Sequence, residues 1–335
     1  MASKKLGKQT VCFPTPPVII GWGNVVGKKE GEGPLGSCFD FVSQDDKFGE
    51  KSFEKAESNM QKQALSNALD KAGKRITDLD YLLAGDLLNQ CISSSFAARG
   101  QDVPFLGLYG ACSTMGESTL LASMLLGGGF GELAAAVTSS HFCTAERQYR
   151  TPLEYGGQRT PTAQWTVTGS GAVILAAQGK GPKVTHATVG KIVDKGITDA
   201  NNMGAAMAPA AYETLRAHFQ DTGRSPEDYD LIVTGDLGRL GREIVTDFFA
   251  ADGVALPNYN DCGLLIFDLK DQDVHCGGSG CGCAASVLTG YLLPGLKAGA
   301  WKRILFCPTG ALLSPTSTQQ GESIPSICHA IALEA

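Results

Sequence analysis

Two segments of the chain repeat one pattern, an apolar helical stripe followed by a short apolar run. In the first segment, residues 54–90, Met60, Ala64 and Ala68 recur at the spacing of one helix face. Gly73 is expected to end this helix, because glycine readily adopts the left-handed conformation found at helix ends. The run "LDYLLAGDL" that follows predicts a buried strand.

The second segment, residues 210–244, contains the same unit. Tyr212, Leu215 and Phe219 form the helical stripe, Gly223 is expected to end it, and "YDLIVTGDL" predicts the strand. The second segment therefore also predicts a helix followed by a buried strand.

The two copies align with a constant offset. Both strands end in Gly-Asp-Leu, and the aspartates Asp86 and Asp236 are 150 positions apart (236 − 86). A further helix–strand pair follows in each copy, "CSTMGESTLLASMLLGGGFGELAAAVTSSH" in the first and "CGCAASVLTGYLLPGLKAGAWKRILFCPTG" in the second. Continuous apolar runs are typical of parallel strands covered on both faces. The chain therefore predicts an α/β protein with two similar halves, residues 1–180 and 181–335.

Two segments depart from this pattern. Residues 28–57 are charged and contain glycine, so they are expected to form an exposed insertion that contacts a partner. Residues 141–165 are polar and rich in arginine, and they predict a long functional loop. In this loop Arg147, Arg150 and Arg159 are candidates to receive a carboxylate, with interface salt bridges as the alternative.

Composition excludes several classes of protein. The chain has 335 residues and is 43% hydrophobic, enough for a large buried core. A formal net charge of −6 without a long basic run argues against nucleic acid as a partner. The N-terminal segment lacks the apolar stretch of a secretory signal, and no window approaches the ~18 apolar residues needed to span a bilayer. We therefore expect membrane association only through partners or a surface patch.

Cysteine usage predicts reduced thiols. The eleven cysteines are an odd number scattered along the chain, as expected of small core residues. The run "HCGGSGCGC" offers four zinc ligands, His275, Cys276, Cys281 and Cys283, but it lacks two separated Cys-x-x-Cys pairs and an apolar helix follows at once. The glycines of 127–131 follow a helix and precede a strand, the reverse of the dinucleotide-binding order, which predicts a turn.

The duplicated unit, with the cysteine of "YGACSTMGES" at the start of a helix, resembles the thiolase superfamily over nearly the whole chain. The resemblance implies an α-β-α-β-α layered sandwich with two pseudo-symmetric halves. It also places Cys112 at the position of the family's nucleophile. "TGSGAVIL" is similar to the family's glycine-rich strand, and Gly310 in "CPTGALLSP" matches the loop that completes its oxyanion hole.

This sequence departs from the family's catalytic pattern at two positions. The position of the catalytic histidine holds Asp236, and the position of a second histidine or an asparagine holds Cys281. A carboxylate raises the pKa of a neighbouring thiol, whereas a protonated histidine lowers it. A thiol also lacks the two N–H donors of an amide. We therefore expect no acyltransferase activity.

A histidine elsewhere in the chain could replace the missing catalytic base. His141 follows an apolar strand and is a candidate for the pocket wall. His275 precedes the second-half helix and either lies near the site or is a solvated or capping residue. His218 is expected on an exposed helix face.

Four stretches carry a narrower resemblance, to the stage V sporulation AD family of spore-forming Firmicutes. They are "VCFPTPPVIIGWGNVVGKKEGEGPLGSCFD", "GLYGACSTMGES", "YGGQRTPTAQWTVTGSGA" and "MGAAMAPAAYETL". The resemblance implies a non-enzymatic thiolase fold that binds dipicolinic acid (pyridine-2,6-dicarboxylate). It further implies a homodimer, peripheral on the inner spore membrane, that acts with membrane proteins of the same operon in uptake of that compound into the developing spore.

The expected ligand site combines features that favour anions. Helix starts near Cys112 and near the second-half helix, together with the Gly310 loop, direct backbone N–H groups toward one cavity. We expect one ligand carboxylate beside Cys112. The candidate ligand-binding residues are Cys112, Asp236, Ser279, Gly280, Cys281, Gly310, His141 and Arg159.

Asp236 leaves several alternatives open. It would repel a dianion unless it is protonated, acts through water, or shares a calcium ion with the ligand. It could instead brace its own turn, as Asp86 could in the first half. No other cofactor is expected. Two alternative functions stay open. One is a ketoacyl-synthase-III-like acyltransferase that uses Cys112 with an unrecognised base, and the other is a structural scaffold for a membrane complex with a vestigial pocket.

Overall fold

The computed structural model describes residues 4–149 and 159–335. Its strands are β1 (Lys5–Leu6), β2 (Thr10–Cys12), β3 (Val18–Val26), β4 (Tyr81–Gly85), β5 (Phe105–Gly107), β6 (Leu133–Ser140), β7 (Trp165–Thr166), β8 (Gly169–Ala176), β9 (Lys183–Thr188), β10 (Leu231–Thr234), β11 (Tyr259–Asp261), β12 (Gly278–Ser279), β13 (Arg303–Cys307), β14 (Thr309–Ala311), β15 (Ser326–Cys328) and β16 (Ala330–Glu334). Its α-helices are α1 (Lys28–Gly31), α2 (Phe53–Ala72), α3 (Ile92–Ala98), α4 (Thr114–Gly128), α5 (Phe142–Tyr149), α6 (Met203–Thr222), α7 (Gly238–Ala251), α8 (Cys262–Ile266), α9 (Cys281–Val287), α10 (Leu293–Ala298) and α11 (Pro315–Gln319).

The two halves have sheets of the same topology. The first-half strands lie in the order β5-β4-β6-β8-β3 and the second-half strands in the order β11-β10-β13-β16-β9. In each sheet the first three strands are parallel and the last two pair antiparallel. The sheets meet where β3 pairs with β9, at Val18 and Lys183. This matching order confirms the prediction of a duplicated α/β fold.

The strands alternate their side chains between a central core and two outer cores. In β6, Ala134 and Ala136 face the central core, and in β13, Ile304 and Phe306 do the same. The alternate residues of these strands pack in the outer cores, beneath α2 in the first half and α6 in the second. Helices α4 and α9 contribute to the central core between the sheets. The result is the expected α-β-α-β-α sandwich.

The helix boundaries follow from capping chemistry. The hydroxyl of Ser52 accepts a hydrogen bond from the Lys55 N–H at the start of α2, and Asn202 caps α6 in the same way. Gly73 and Gly223 follow these helices with φ of 64° and 67°, the left-handed conformation that glycine adopts without a steric cost. Both predicted helix ends are confirmed.

The segment 28–57 differs from its prediction as an exposed insertion. Glu30, Leu35 and Phe48 are buried. The Glu30 carboxyl accepts a hydrogen bond from the Thr168 N–H at 2.9 Å, which ties the segment to the first-half sheet. The polar composition of the segment predicted exposure. Glu30 can nevertheless be buried because a backbone N–H group directly before β8 satisfies its carboxyl.

The segment 141–165 also differs from its prediction as a loop, because α5 occupies its first part. Residues 150–158, including the candidate Arg150, lie outside the described residues. No helix in the described ranges has the length and apolar character needed to cross a membrane.

Candidate functional site

Cys112 lies at the entrance to α4, in a turn fastened by its own side chains. Ala111 has a φ of 49°, a left-handed conformation unusual for a residue with a Cβ atom. The Ser113 hydroxyl donates to the Gly110 carbonyl at 2.7 Å, and the Thr114 hydroxyl donates to the Ala111 carbonyl at 2.6 Å. These bonds hold the strained turn, and Cys112 is only 6% exposed.

The Asp236 carboxylate follows β10 and joins three separate segments. It accepts hydrogen bonds from the Thr309 hydroxyl at 2.8 Å, the Gly280 N–H at 3.0 Å and the Ser279 hydroxyl at 3.2 Å. It also interacts with the Cys112 thiol. Asp236 is fully buried, so these donors take the place of water around the carboxylate.

The pKa values of the Asp236 carboxyl and the Cys112 thiol are both raised. Burial raises the pKa of the Asp236 carboxyl above its usual value, although its hydrogen-bond donors oppose that rise. Burial also raises the pKa of the Cys112 thiol well above its usual value, and the Asp236 charge raises it further. The Gly280 N–H opposes this only in part. At neutral pH the arrangement therefore holds Cys112 as a thiol.

The side chain of Asp236 does not brace its own turn. In the first half, Asp86 does so by accepting hydrogen bonds from the Leu88 N–H at 2.9 Å and from both the N–H and the hydroxyl of Ser94. In the second half that role belongs to Asp261, whose carboxylate accepts the N–H groups of Leu237 and Gly238, each at 2.9 Å. Asp261 therefore leaves the Asp236 carboxylate available to face Cys112.

Cys281 lies beside Cys112 at the start of α9. The two residues belong to one small buried cluster with Leu87, Ala111 and Ala145. The Cys281 thiol donates to the Ser139 carbonyl at 2.9 Å, and its burial raises its pKa well above the usual value. The preceding Gly280 has a φ of 99°, which residues with a Cβ atom rarely adopt.

Gly310 brings β14 against the Cys112 turn. A Cβ atom at this position would lie 2.3 Å from the Gly110 carbonyl oxygen and 3.1 Å from the Ser113 nitrogen. Only glycine permits this approach of two backbones. The structure thus brings together six of the candidate residues, which are Cys112, Asp236, Ser279, Gly280, Cys281 and Gly310.

The other two candidates have partners elsewhere. His141 donates from Nε2 to the Asp46 carbonyl at 2.7 Å and accepts the Cys143 N–H on Nδ1 at 3.1 Å. Arg159 forms an ion pair with Asp273 at 3.1 Å and lies over the Trp165 ring. These partners lie outside the Cys112–Asp236 group, and both residues remain predictions as ligand-binding residues.

Sequence reasoning missed two residues of the site. Thr309 donates to Asp236 and directly precedes Gly310 in "CPTGAL", so its position was the available signal. The Gln164 amide donates to the Asp236 carbonyl at 2.5 Å and to the Gly278 carbonyl at 3.0 Å. No sequence signal marked Gln164.

The prediction that His218 lies on an exposed helix face is wrong. The residue is fully buried, and its ring nitrogens contact the hydroxyls of Thr188 and Tyr229. Burial lowers its pKa to about 3. His275 donates from Nδ1 to the Thr160 carbonyl at 2.6 Å, and its Nε2 lies 3.1 Å from Asp273 Oδ1.

The zinc interpretation of "HCGGSGCGC" finds no geometric support. Within residues 4–149 and 159–335, no three His, Cys, Asp or Glu side chains are grouped so that they could hold a metal ion. The Cys276 thiol is directed to the Pro161 carbonyl at 3.3 Å, whereas the Cys281 thiol is directed to that of Ser139.

A small cavity of about 210 Å³ lies next to Leu87, which belongs to the buried cluster of Cys112 and Cys281. Leu87, which packs with Cys112, is part of its wall, together with Asn89, Gln90 and Leu313. Gln90 has a φ of 58°, so a strained backbone borders the cavity.

Comparisons with known proteins agree on family and fold. A model of the family described as stage V sporulation protein AD matches residues 7–334. Stage V sporulation protein AD of Bacillus subtilis (strain 168) is 48% identical over 332 residues, which cover 99% of this chain and 98% of that protein.

Solved structures show the same fold at low identity. An OleA variant of Xanthomonas campestris has a TM-score of 0.62 at 15% identity, over 100% of this chain and 99% of that one. The 3-oxoacyl-(acyl carrier protein) synthase III of Pseudomonas aeruginosa PAO1 has a TM-score of 0.57 at 13% identity, over 95% and 98% of the two chains. The fold is therefore thiolase-like, and the chain belongs to the stage V sporulation protein AD family.

Proposed function

We propose that this chain binds dipicolinic acid in the pocket beside Cys112 and does not catalyse acyl transfer. The observation that carries the proposal is the burial of the Asp236 carboxylate next to Cys112, where its charge raises the pKa of the thiol. Acyl transfer through a cysteine needs a thiolate or a base that can make one. A carboxylate in this place stabilises the protonated thiol, so the pocket keeps its capacity to bind but lacks an activated nucleophile.

The donors around Asp236 are occupied by its own carboxyl group, on which the Gly280 N–H and the hydroxyls of Ser279 and Thr309 converge. A ligand carboxylate would therefore be held by the partial positive charge at the start of α4 and by Asp236 itself. Because burial raises the Asp236 pKa, binding of a dianion can proceed with Asp236 as a neutral acid that donates a hydrogen bond. A calcium ion shared between Asp236 and the ligand is the alternative means of avoiding repulsion.

We further propose that the chain acts as a homodimer. Among the described strands β5 pairs only with β4, so its other side is an open sheet edge, and apolar side chains near it are exposed. These side chains are Ile92, Phe96, Leu106 and Tyr109. Pairing of β5 with the same strand of a second copy would satisfy the edge and cover the apolar surface.

The biological setting follows from the family. The B. subtilis relative is named as a sporulation protein, which supports a role in the spore. We propose a peripheral location on the inner spore membrane, where the chain would deliver dipicolinic acid to membrane proteins of the same operon for uptake into the developing spore. A ketoacyl-synthase-III-like acyltransferase is the second candidate, and the fold it shares with condensing enzymes favours it.

Calorimetric titration with dipicolinate tests the proposal. We expect saturable binding of one ligand per chain, weakened at least about tenfold by Asp236→Asn, since the acid's donor geometry or calcium ligation is lost. Asp252→Asn, a matched change at the exposed residue that follows α7, should leave binding unchanged. Calcium that tightens binding to the wild type but not to Asp236→Asn would favour the shared ion.

Two results would overturn the proposal. One is the absence of saturable binding both with and without calcium. The other is stoichiometric acylation of Cys112 by an acyl-CoA, detected by mass spectrometry, which would favour the acyltransferase.

A further inference from the structure

We propose that the cleft between α2 and α3 is a second binding site, for a small organic anion with an apolar body and a single carboxylate. The cleft has a volume of about 300 Å³ and reaches the outer face of the first-half sheet. Its floor is formed by Leu82 and Ala84 of β4 and Val137 of β6, and Leu65 and Ala98 line its walls. It shares no lining residue with the cavity beside Cys112.

The second half has a cleft of about 460 Å³ at the equivalent position, but its lining, which includes Phe219 and Phe249, contains no residue of the described sheet. With the 150-residue offset, Lys62 and Leu69 of α2 correspond to Tyr212 and Phe219 of α6. Helix α7, which packs on α6, has 14 residues, whereas the corresponding α3 has 7. The longer helix therefore covers a part of the sheet that α3 leaves open.

Aromatic rings occupy the gap in the second half. The Tyr212 ring lies 5.3 Å from Phe248 and 5.1 Å from Phe249, and Phe219 lies 6.1 Å from Phe249. The first half has alanines, Ala97 and Ala98, on the helix facing α2. Interiors are normally close-packed, so a cleft that reaches the sheet past small side chains in one copy, but is closed off from the sheet by rings in the other, is a local feature of the first half.

The rim of the cleft carries excess positive charge. Lys62, Lys74 and Arg75 line it, with Asp70 as the acidic member. Arg75 is paired with Asp78 at 3.0 Å. Across residues 4–149 and 159–335, Lys62 and Lys74 have no ion-pair partner within 4.0 Å.

The second-half counterpart of Lys74 is already neutralised. It is Arg224 (224 − 74 = 150), which pairs with Glu334 at 3.1 Å. The lysines of the cleft are thus available for an anionic group, and charge complementarity selects the ligand.

The polar groups at the base of the cleft are satisfied internally. The Gln61 amide donates to the hydroxyls of Ser94 and Ser139, and Ser94 donates to Asp86. They offer little to a polar ligand body, so the floor favours an apolar or aromatic one. The proposal does not depend on dipicolinate binding beside Cys112.

Fluorescence titration with 1-anilinonaphthalene-8-sulfonate, an aromatic anion, tests the proposal. We expect one saturable site per chain, from which benzoate displaces the probe and neutral benzyl alcohol at the same concentration does not. Ala98→Phe, which closes the cleft off from the sheet as rings do in the second half, should weaken binding at least about tenfold. Lys74→Met should weaken it several-fold, and Lys180→Met, an exposed lysine elsewhere, should have no effect.

Unchanged probe affinity in folded Ala98→Phe would overturn the proposal, because it would place the probe on another apolar surface. Equal displacement by benzoate and benzyl alcohol would overturn the anionic part. Far-UV circular dichroism establishes that each variant is folded. If Ala98→Phe does not fold, Ser66→Phe at the exposed rim gives the same test without a change in the interior.

Discussion

Replacing Asp236 by asparagine should make Cys112 more reactive while leaving the protein folded. The asparagine can direct its oxygen to the Gly280 N–H and its amide to the Thr309 hydroxyl, which can turn to accept. The hydrogen-bond network then survives without the charge. We expect the free energy of unfolding to fall by about 1 kcal/mol, the usual net value of one hydrogen bond. Asp236→Ala should cost about 3–5 kcal/mol, because it leaves several buried donors unpaired.

The effect on the thiol follows from the removed charge. Two unit charges about 4 Å apart interact by about 4 kcal/mol at an effective dielectric constant of about 20. This is an upper limit here, because burial raises the pKa of Asp236 and thereby reduces its average charge. A tenfold change in thiolate population corresponds to about 1.4 kcal/mol. We therefore expect alkylation of Cys112 to accelerate by at least about tenfold in Asp236→Asn.

Iodoacetamide labelling at about pH 8, followed for each cysteine by mass spectrometry, measures this rate. The half-buried Cys12 provides an internal reference, and Asp194→Asn, at an exposed carboxylate, is the matched control. In the wild type, Cys112 should react more slowly than Cys12. An unchanged Cys112 rate in folded Asp236→Asn would refute the electrostatic argument, and a wild-type Cys112 faster than Cys12 would show an activated nucleophile.

Four further substitutions test other parts of the structure by denaturant unfolding. Gly310→Ala should lower the free energy of unfolding by roughly 1–3 kcal/mol, because the methyl group would lie 2.3 Å from a backbone oxygen of the Cys112 turn. The pKa of His218 is about 3 in the folded protein and 6.5 in the unfolded chain, so its stabilising contribution falls as the pH drops below 6.5. Between pH 7.5 and pH 5, the free energy of unfolding of the wild type should therefore fall by about 2 kcal/mol more than that of His218→Gln. Asp86→Ala should cost about 3–5 kcal/mol by leaving three buried donors unpaired, whereas Lys71→Met, at an exposed ion pair, should cost less than about 1 kcal/mol.

Local signals predicted the framework well. The helices ending at Gly73 and Gly223 and the strands before Asp86 and Asp236 are confirmed, since periodicity and capping depend on neighbouring residues. The burial of His218 was missed because it depends on Thr188 and Tyr229, which the chain brings together only in the folded sheet. Helical spacing alone does not report such distant partners.

The candidate site was predictable in position but not in connectivity. The resemblance to the thiolase superfamily implied that Asp236 and Cys281 approach Cys112, and the structure brings all three together. It could not indicate that Asp261 takes over the bracing of the turn after β10, because this residue lies on another strand, 25 positions beyond Asp236 (261 − 236). Which of two aspartates faces a pocket is decided by tertiary hydrogen bonds.

The position of β16 has a consequence for biosynthesis. This strand is the last of the described strands in chain order, yet it lies between β9 and β13 in the second-half sheet. Asp236 follows β10 of this sheet, and Gly310 lies in β14, which pairs with β15. The sheet that supports the pocket is therefore incomplete while the ribosome is still adding β16. Strands β9 and β13 must wait, with their inner edges unpaired, until β16 emerges and inserts between them. During synthesis this half therefore passes through a stage with two open sheet edges, in which a chaperone or a neighbouring chain has its best access.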